Sequence, residues 1–179
     1  MADTKLSLYE MELAIARSRE FNYTQKLVVY NVVGTSSILP IWHECDVLVC
    51  TNVGYLTEIE IKRSYADFLN DFKKDHDHRS KYIKRFYYCV PSKIKDKVIA
   101  YLDTFENRDD YRVGAGIIVI SEDRWLTEIR ASKENKEAVK LSTEQMLYLA
   151  RLGSMRVMSL KRKIINMQKD DKVEHIHSF

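Results

Sequence analysis

Asp46, Glu60 and Lys62 are the residues of this chain whose types and spacing suit chemistry on a charged substrate. Asp46 lies in HECDVLVC (43–50), and the other two lie in GYLTEIEIKR (54–63). Both stretches alternate as β-strands do, and Asn52 and Gly54 between them supply the turn residues of a hairpin. Carboxylates brought together across a hairpin repel, and desolvation raises the cost. A divalent cation that favours oxygen ligands, such as Mg²⁺, resolves the conflict. It would also polarise a phosphodiester oxygen and lower the pKa of a bound water. Lys62, two residues after Glu60, projects from the same strand face and would orient the attacking water or stabilise developing phosphorane charge. The bland alternative is a solvated sheet face with cross-strand salt bridges.

The elements that must position these groups follow from periodicity. Ser7 to Glu20 reads as a helix with Leu8, Met11, Ile15 and Ser18 at three- and four-residue spacing, and Glu12 shares that face. Glu12 is therefore a candidate third carboxylate for the site, with Glu10 as the fallback. QKLVVYNVV (25–33) reads as a first strand rich in β-branched residues. In the second strand, strict alternation puts His43, Cys45, Val47 and Val49 on one face and Glu44, Asp46, Leu48 and Cys50 on the other. A bulge would reverse the placing of His43. In the third strand Glu58, Glu60 and Lys62 share a face. Ser64 is the expected N-cap of a helix over 65–75, with Tyr65, Phe68, Leu69 and Phe72 buried. RFYYCV (85–90) is the fourth strand, Ser92 the expected cap of a short helix, GAGIIVIS (114–121) the fifth strand and RWLTEIRAS (124–132) a sixth. A C-terminal helix, or two, is expected over 141–168, capped by Ser142 or Thr143, with Gly153 as a candidate break. This order predicts a single α/β domain over 1–179: a mixed sheet flanked by helices, with a core over about 7–133 and a basic helical extension. The helix between strands three and four is long enough for a parallel crossover.

The remaining candidates carry weaker signals. Glu44 is either a metal or supporting residue or a rim salt bridge. Glu58 reads as a structural pair and His43 as a packed histidine. Asp75, His76, Asp77 and His78 read as a solvated polar loop. Lys73, Lys74, Arg79, Lys81, Lys84 and Arg85 are the expected phosphate contacts. Tyr82, Tyr87 and Tyr88 interleave with them in a pattern that suits stacking on unpaired bases. Arg151, Arg156, Lys161, Arg162 and Lys163 would extend the basic surface or serve a partner.

Composition sets the bounds. The chain has 179 residues, 45% hydrophobic and 31% charged, which fits one globular domain with a real core. The net charge of +3 is unevenly spread. Residues 62–97 hold eleven Lys/Arg against five Asp, and residues 151–169 hold six Lys/Arg and no acid. Clustered positive charge fits a polyanionic partner such as nucleic acid. Three cysteines, Cys45, Cys50 and Cys89, sit in apolar strand-like stretches, as reduced, buried thiols of a cytoplasmic protein do. No run of about 18 apolar residues is present, so no membrane span is expected.

The pattern resembles the PD-(D/E)xK nuclease superfamily, with its restriction-endonuclease-like αβββαβ core. Glu60-Ile61-Lys62 matches the E-x-K half. Asp46 matches the preceding aspartate, although Cys45 stands where the family has proline. Within the superfamily, the chain is most similar to the MmcB-like DNA-repair group and related phage proteins. That likeness rests on YEMELAI (9–15), HECDVLV (43–49), YLTEIEIKRSYADFLNDFKK (55–74), HRSKYIKRFYYCVP (78–91), AGIIVI (115–120) and KLSTEQMLYLARLGSMR (140–156). The resemblance implies a Mg²⁺- or Mn²⁺-dependent DNA nuclease, an endonuclease of repair or of phage DNA processing. Asp46 and Glu60 would be the metal ligands, Lys62 would assist, and an acid on the first helix, here Glu12, would contribute. It also implies DNA as partner, with a homodimer where both strands are cut. The alternative is a DNA-binding or assembly module that keeps the fold without useful turnover.

Overall fold

A computed structural model describes residues 6–35, 37–73, 80–105 and 114–176, with the side chains of 34–35 and 169–176 excepted. Six strands form one sheet in sequence order: β1 (Leu27–Thr35), β2 (Pro40–Cys50), β3 (Leu56–Ile61), β4 (Ile83–Pro91), β5 (Gly116–Ile120) and β6 (Leu126–Arg130). β1–β2, β2–β3 and β5–β6 are antiparallel, whereas β3–β4 and β4–β5 are parallel. The helices are α1 (Leu8–Arg17), α2 (Tyr65–Asp71), α3 (Lys95–Leu102) and α4 (Thr143–Ile176). The expected α/β architecture, a mixed sheet with helices on both faces, is what the chain adopts.

Apolar alternation explains the two layers. Met11, Ala14 and Ile15 of α1 bury against Val47, Val49, Ile59, Ile61, Cys89, Ile118 and Ile120 on one face. Phe68 of α2, Val98 and Leu102 of α3 and Leu149 of α4 cover Leu48, Leu56, Tyr88, Val90 and Ile117 on the other. The β2–β3 hairpin turns at Gly54, whose φ of 90° suits glycine, and its amide donates to the Thr51 carbonyl. A Cβ at Gly54 would also stand 2.7 Å from the Leu141 carbonyl.

Local signals behave as physical chemistry dictates, with instructive exceptions. Ser7 caps α1 in a capping box with Glu10, and Ser64 caps α2 through the Asp67 amide. Ser142 and Gln145 form the reciprocal pair that starts α4. Ser92, by contrast, opens a 3₁₀ turn at Ser92–Ile94, and the residue that precedes α3, Ile94, has no side-chain capping bond. α4 runs unbroken through Gly153, where a Cβ would meet Val29 of β1 at an ordinary van der Waals distance. At 34 residues α4 is about 50 Å long. Its residues from 154 to 168 are exposed, including Met155, Met158, Ile164 and Met167. β6 is a strand as expected, and Ile129 on it and Trp125 just before it are exposed at this edge of the sheet. Cys45, Cys50 and Cys89 are free and buried. Among the described residues, no helix is long and apolar enough to cross a membrane.

Candidate active site

The strict alternation expected of β2 fails at one place. Cys45 lies in the same core layer as Leu48 and Cys50, and across the ladder Val29 shares that layer with Val32. Both spacings are odd, so both strands change phase. The constant register, with Tyr30 opposite Val47 and Val32 opposite Cys45, sets the two breaks against each other at Asn31 and Asp46. Asn31 has φ 50°, a left-handed conformation that asparagine tolerates better than most residues. The expected pairing of Asp46 with Leu48 and Cys50 on one face is therefore corrected. His43 and Cys45 turn instead toward Glu58 of β3.

Asp46 sits at the point where the β2–β3 ladder opens. The last ladder pair before it is Val47 with Ile59. Beyond that pair, side chains take over the hydrogen bonding. The Ile61 amide donates to Asp46 Oδ2 at 2.8 Å, and the Asp46 amide donates to Glu60 Oε1 at 3.4 Å. The two acids that alternation placed on neighbouring strands are thus held side by side. Burial raises the Asp46 carboxyl above the ordinary aspartate range, against the opposing pull of the Ile61 amide and the Lys62 ammonium.

Lys62 continues from Glu60 and is itself buried. Its Nζ donates to Glu60 Oε2 at 3.1 Å and to Asp71 Oδ1 at 2.6 Å. Burial alone would push the ammonium pKa down, but Glu60 and Asp71 together outweigh that and hold it above its usual value. Tyr88 of β4 donates its hydroxyl to the other Asp71 oxygen at 3.2 Å. Asp71 and Tyr88 are the residues that sequence reasoning missed. The available signal was an acid three residues after Phe68, within the stripe that α2 turns to the core.

Glu12 reaches the same neighbourhood from α1, on the opposite layer. Burial, aided by the Asp46 charge, pushes its carboxyl up to about 7. Glu10 is engaged elsewhere: the Ser7 amide and Arg124 hold its carboxylate down at about 2. A cleft of about 410 Å³ opens over Asp46, Glu60 and Lys62, walled by Leu8, Trp42, His43, Glu44, Ile61, Arg63 and Asp67. Four of the side chains around the cleft are carboxylates, and two, Lys62 and Arg63, are cations, an imbalance that suits a cation. Carboxylate oxygens each carry two lone pairs, so Asp46 and Glu60 can keep their present donors and still ligate. The donor set fits a hard divalent ion such as Mg²⁺ or Mn²⁺.

From the cleft wall, His43 reaches inward, and its Nε2 lies 2.8 and 3.0 Å from the Glu58 oxygens; both residues are buried. Cys45 is hydrogen-bonded to Glu58, and burial, with the Glu58 charge, keeps its thiol well above the usual range. One ligand atom from each of the three residues lies within 4.8 Å of the others. This nitrogen, sulfur and oxygen set could hold a softer divalent ion without net charge. The hydrogen bonds already satisfy Glu58 as a structural partner of His43.

The expected phosphate contacts are scattered. Lys84 and Arg85 lie near the start of β4, where Arg85 pairs with Thr57, whereas Glu60 pairs with Tyr88. Both cations engage Glu134, Arg85 at 2.5 Å and Lys84 at 3.6 Å, and Lys84 covers the Tyr55 ring. They do not line the cleft. Lys73 is exposed after α2 and bonds Asn70; Lys81 is exposed above the Tyr82 ring. Lys74 and Arg79, like the Asp75–His78 loop, lie outside the described residues. Tyr82, Tyr87 and Tyr88 are buried, so the expected stacking on bases is corrected: Tyr87 and Tyr88 lie on β4, an interior strand, Tyr82 just precedes it, and all three serve the core. Glu44 is exposed in the cleft wall, and Arg151, Arg156, Lys161, Arg162 and Lys163 are exposed along α4.

No protein-family model and no curated protein sequence matches the chain. Among solved structures, the SPO1766 protein of unknown function from Silicibacter pomeroyi is similar, with a TM-score of 0.54 at 16% identity over 90% of each chain. The likeness is one of fold: the chain shares a mixed α/β architecture with that protein across nearly its whole length.

Proposed function

We propose that the protein is a metal-dependent nuclease that hydrolyses DNA phosphodiesters, with Asp46 and Glu60 holding Mg²⁺ or Mn²⁺. The observation that carries this reading is the clasp at the open end of the β2–β3 ladder. There Asp46 and Glu60 are held together by backbone amides, with the Lys62 ammonium on Glu60 at 3.1 Å. A bound Mg²⁺ or Mn²⁺ would polarise the phosphodiester and lower the pKa of a water. The chain's own groups do the rest. Lys62, held as an ammonium by Glu60 and Asp71, is a hydrogen-bond donor and a fixed positive charge for the phosphoryl oxygens. It is not a base at neutral pH. Glu12, whose carboxyl is pushed up to about 7, is suited to hold or pass a proton near neutrality. Burial of Lys62 and Glu60 keeps bulk water from screening these charges.

The second reading is a DNA-binding module without turnover. Its support is that Lys62 is 4% exposed and enclosed by two carboxylates, as in a purely structural ion-pair network. Plasmid, nicked, branched and single-stranded DNA incubated with Mg²⁺ or Mn²⁺ separates the two. The nuclease reading expects metal-dependent cleavage lost by roughly 10²-fold or more in Lys62→Ala and Asp46→Ala. Cleavage unchanged by both substitutions would remove these residues from the chemistry. DNA binding with no cleavage on any substrate would leave the binding module.

A further inference from the structure

Trp42 is 77% exposed and lines the cleft that holds Asp46, Glu60 and Lys62. It stands on β2 four residues before Asp46, with exposed Glu44 between them. At about 3.3 Å per residue, the indole is rooted roughly 13 Å along the strand from the carboxylate. Half of the remaining wall is charged: Glu44, Arg63 and Asp67. An exposed aromatic face in a cleft that also presents the cations Lys62 and Arg63, and that the proposed function reads as a phosphodiester site, suits a ligand with two parts, one flat and one anionic. A nucleotide is such a ligand. Trp125, the other tryptophan, is 76% exposed but lies outside the cleft wall, so exposure alone does not distinguish Trp42.

We propose that the Trp42 indole is a stacking platform for an unpaired nucleobase, so that the cleft takes single-stranded nucleic acid or the single-stranded part of a branched one. The inference rests on reading the cleft as a phosphodiester site and adds the substrate class to it. Bases in a duplex are stacked on their neighbours and offer no free face, whereas an unpaired base can lie on the indole. Stacking is tolerant of base identity because every base has a π-face. The buried tyrosines of β4 cannot serve this purpose, and Trp42 takes the role that sequence reading assigned to them.

The test uses tryptophan emission. In a Trp125→Phe chain, Trp42 is the sole tryptophan reporter. A short oligothymidylate is titrated with Ca²⁺ in place of Mg²⁺ so that binding is read without cleavage, and a duplex and an oligouridylate are run beside it. The expected result is quenching by the single-stranded oligomers. Trp42→Ala should weaken their binding by roughly 5- to 100-fold and leave duplex binding unchanged, while Trp42→Phe retains part of the affinity. Tighter binding of the deoxy or the ribo oligomer names the source and supports the stacking role. Binding of oligothymidylate with neither quenching nor a Trp42→Ala effect overturns the stacking platform while leaving the nuclease reading intact. Equal loss on duplex and single strand overturns the substrate class. No binding of any oligomer, together with no cleavage of any DNA by the unaltered chain, overturns both.

Discussion

Lys62 and Arg85 stand near opposite ends of the β3–β4 strand pair, each a cation beside a carboxylate. Lys62 is 4% exposed and lies between Glu60 and Asp71, with Tyr88 holding Asp71 from behind. Arg85 meets Glu134, whose side chain is 42% exposed, at a rim shared with Lys84. The residue types are alike; the surroundings are not. Charges taken out of water interact strongly and tolerate no missing partner, whereas exposed pairs are screened and contribute little. A site for chemistry therefore belongs where charges are buried and held by the backbone, and positive charge counted along the chain does not locate it.

The contrast can be broken most directly at Asp71. Asp71→Ala removes a buried partner of Lys62 and the carboxylate that the Tyr88 hydroxyl donates to, so the chain should lose on the order of 3 kcal/mol in urea unfolding. Asp71→Asn keeps the shape and should restore part of that stability. Under the proposed function, Asp71→Asn should also lower the rate of cleavage at saturating DNA more than it weakens DNA binding, because it loosens Lys62 and no cleft-wall group. An equal loss in both would make Asp71 a purely structural residue.

Glu12 sharpens the comparison through pH. Its folded pKa of about 7 stands above the ordinary value of 4.5, so the folded state holds a proton that the unfolded state has released between those values. Stability is fully supported below about pH 4.5 and falls as pH rises through about 7, by up to roughly 3 kcal/mol. Asp46, also raised, adds a loss of the same sign. Urea unfolding from pH 4.5 to 8 in the presence of a chelator measures the slope. Glu12→Gln should flatten it and stabilise the chain at pH 8; an unchanged slope would place the titration elsewhere.

The smallest effect is expected at the rim. Glu134→Ala should barely move the urea midpoint, and the difference should vanish in high salt, because the pair it breaks is exposed. Lys84→Ala and Arg85→Ala should leave cleavage close to normal, since neither lines the cleft. A loss of cleavage as large as that of Lys62→Ala would bring this end of β4 back into the DNA-binding surface.

Much of the fold was legible along the chain because its causes are local. Period-two alternation marked the strands, Ser64 announced its helix, and the Asn52–Gly54 turn joined β2 to β3. The adjacency of Glu60 and Lys62 on one face needed nothing more than the pleat. Other features depended on contacts between distant residues. The opposed breaks at Asn31 and Asp46 are invisible to a pattern of residue types, because either strand alone could have alternated regularly. Pairing of β1 with β2 makes the breaks meet, turning His43 and Cys45 to Glu58 and leaving Asp46 at the open end of the ladder. Asp71 and Tyr88 meet Lys62 because α2 crosses over to β4, and the β4 tyrosines are buried because β5 and β6 extend the sheet beyond them. The sequence by itself determined which residues could carry charge to one strand face. Tertiary structure decided which of those charges would be taken out of water, since burial is a property of what packs alongside and not of the residue itself.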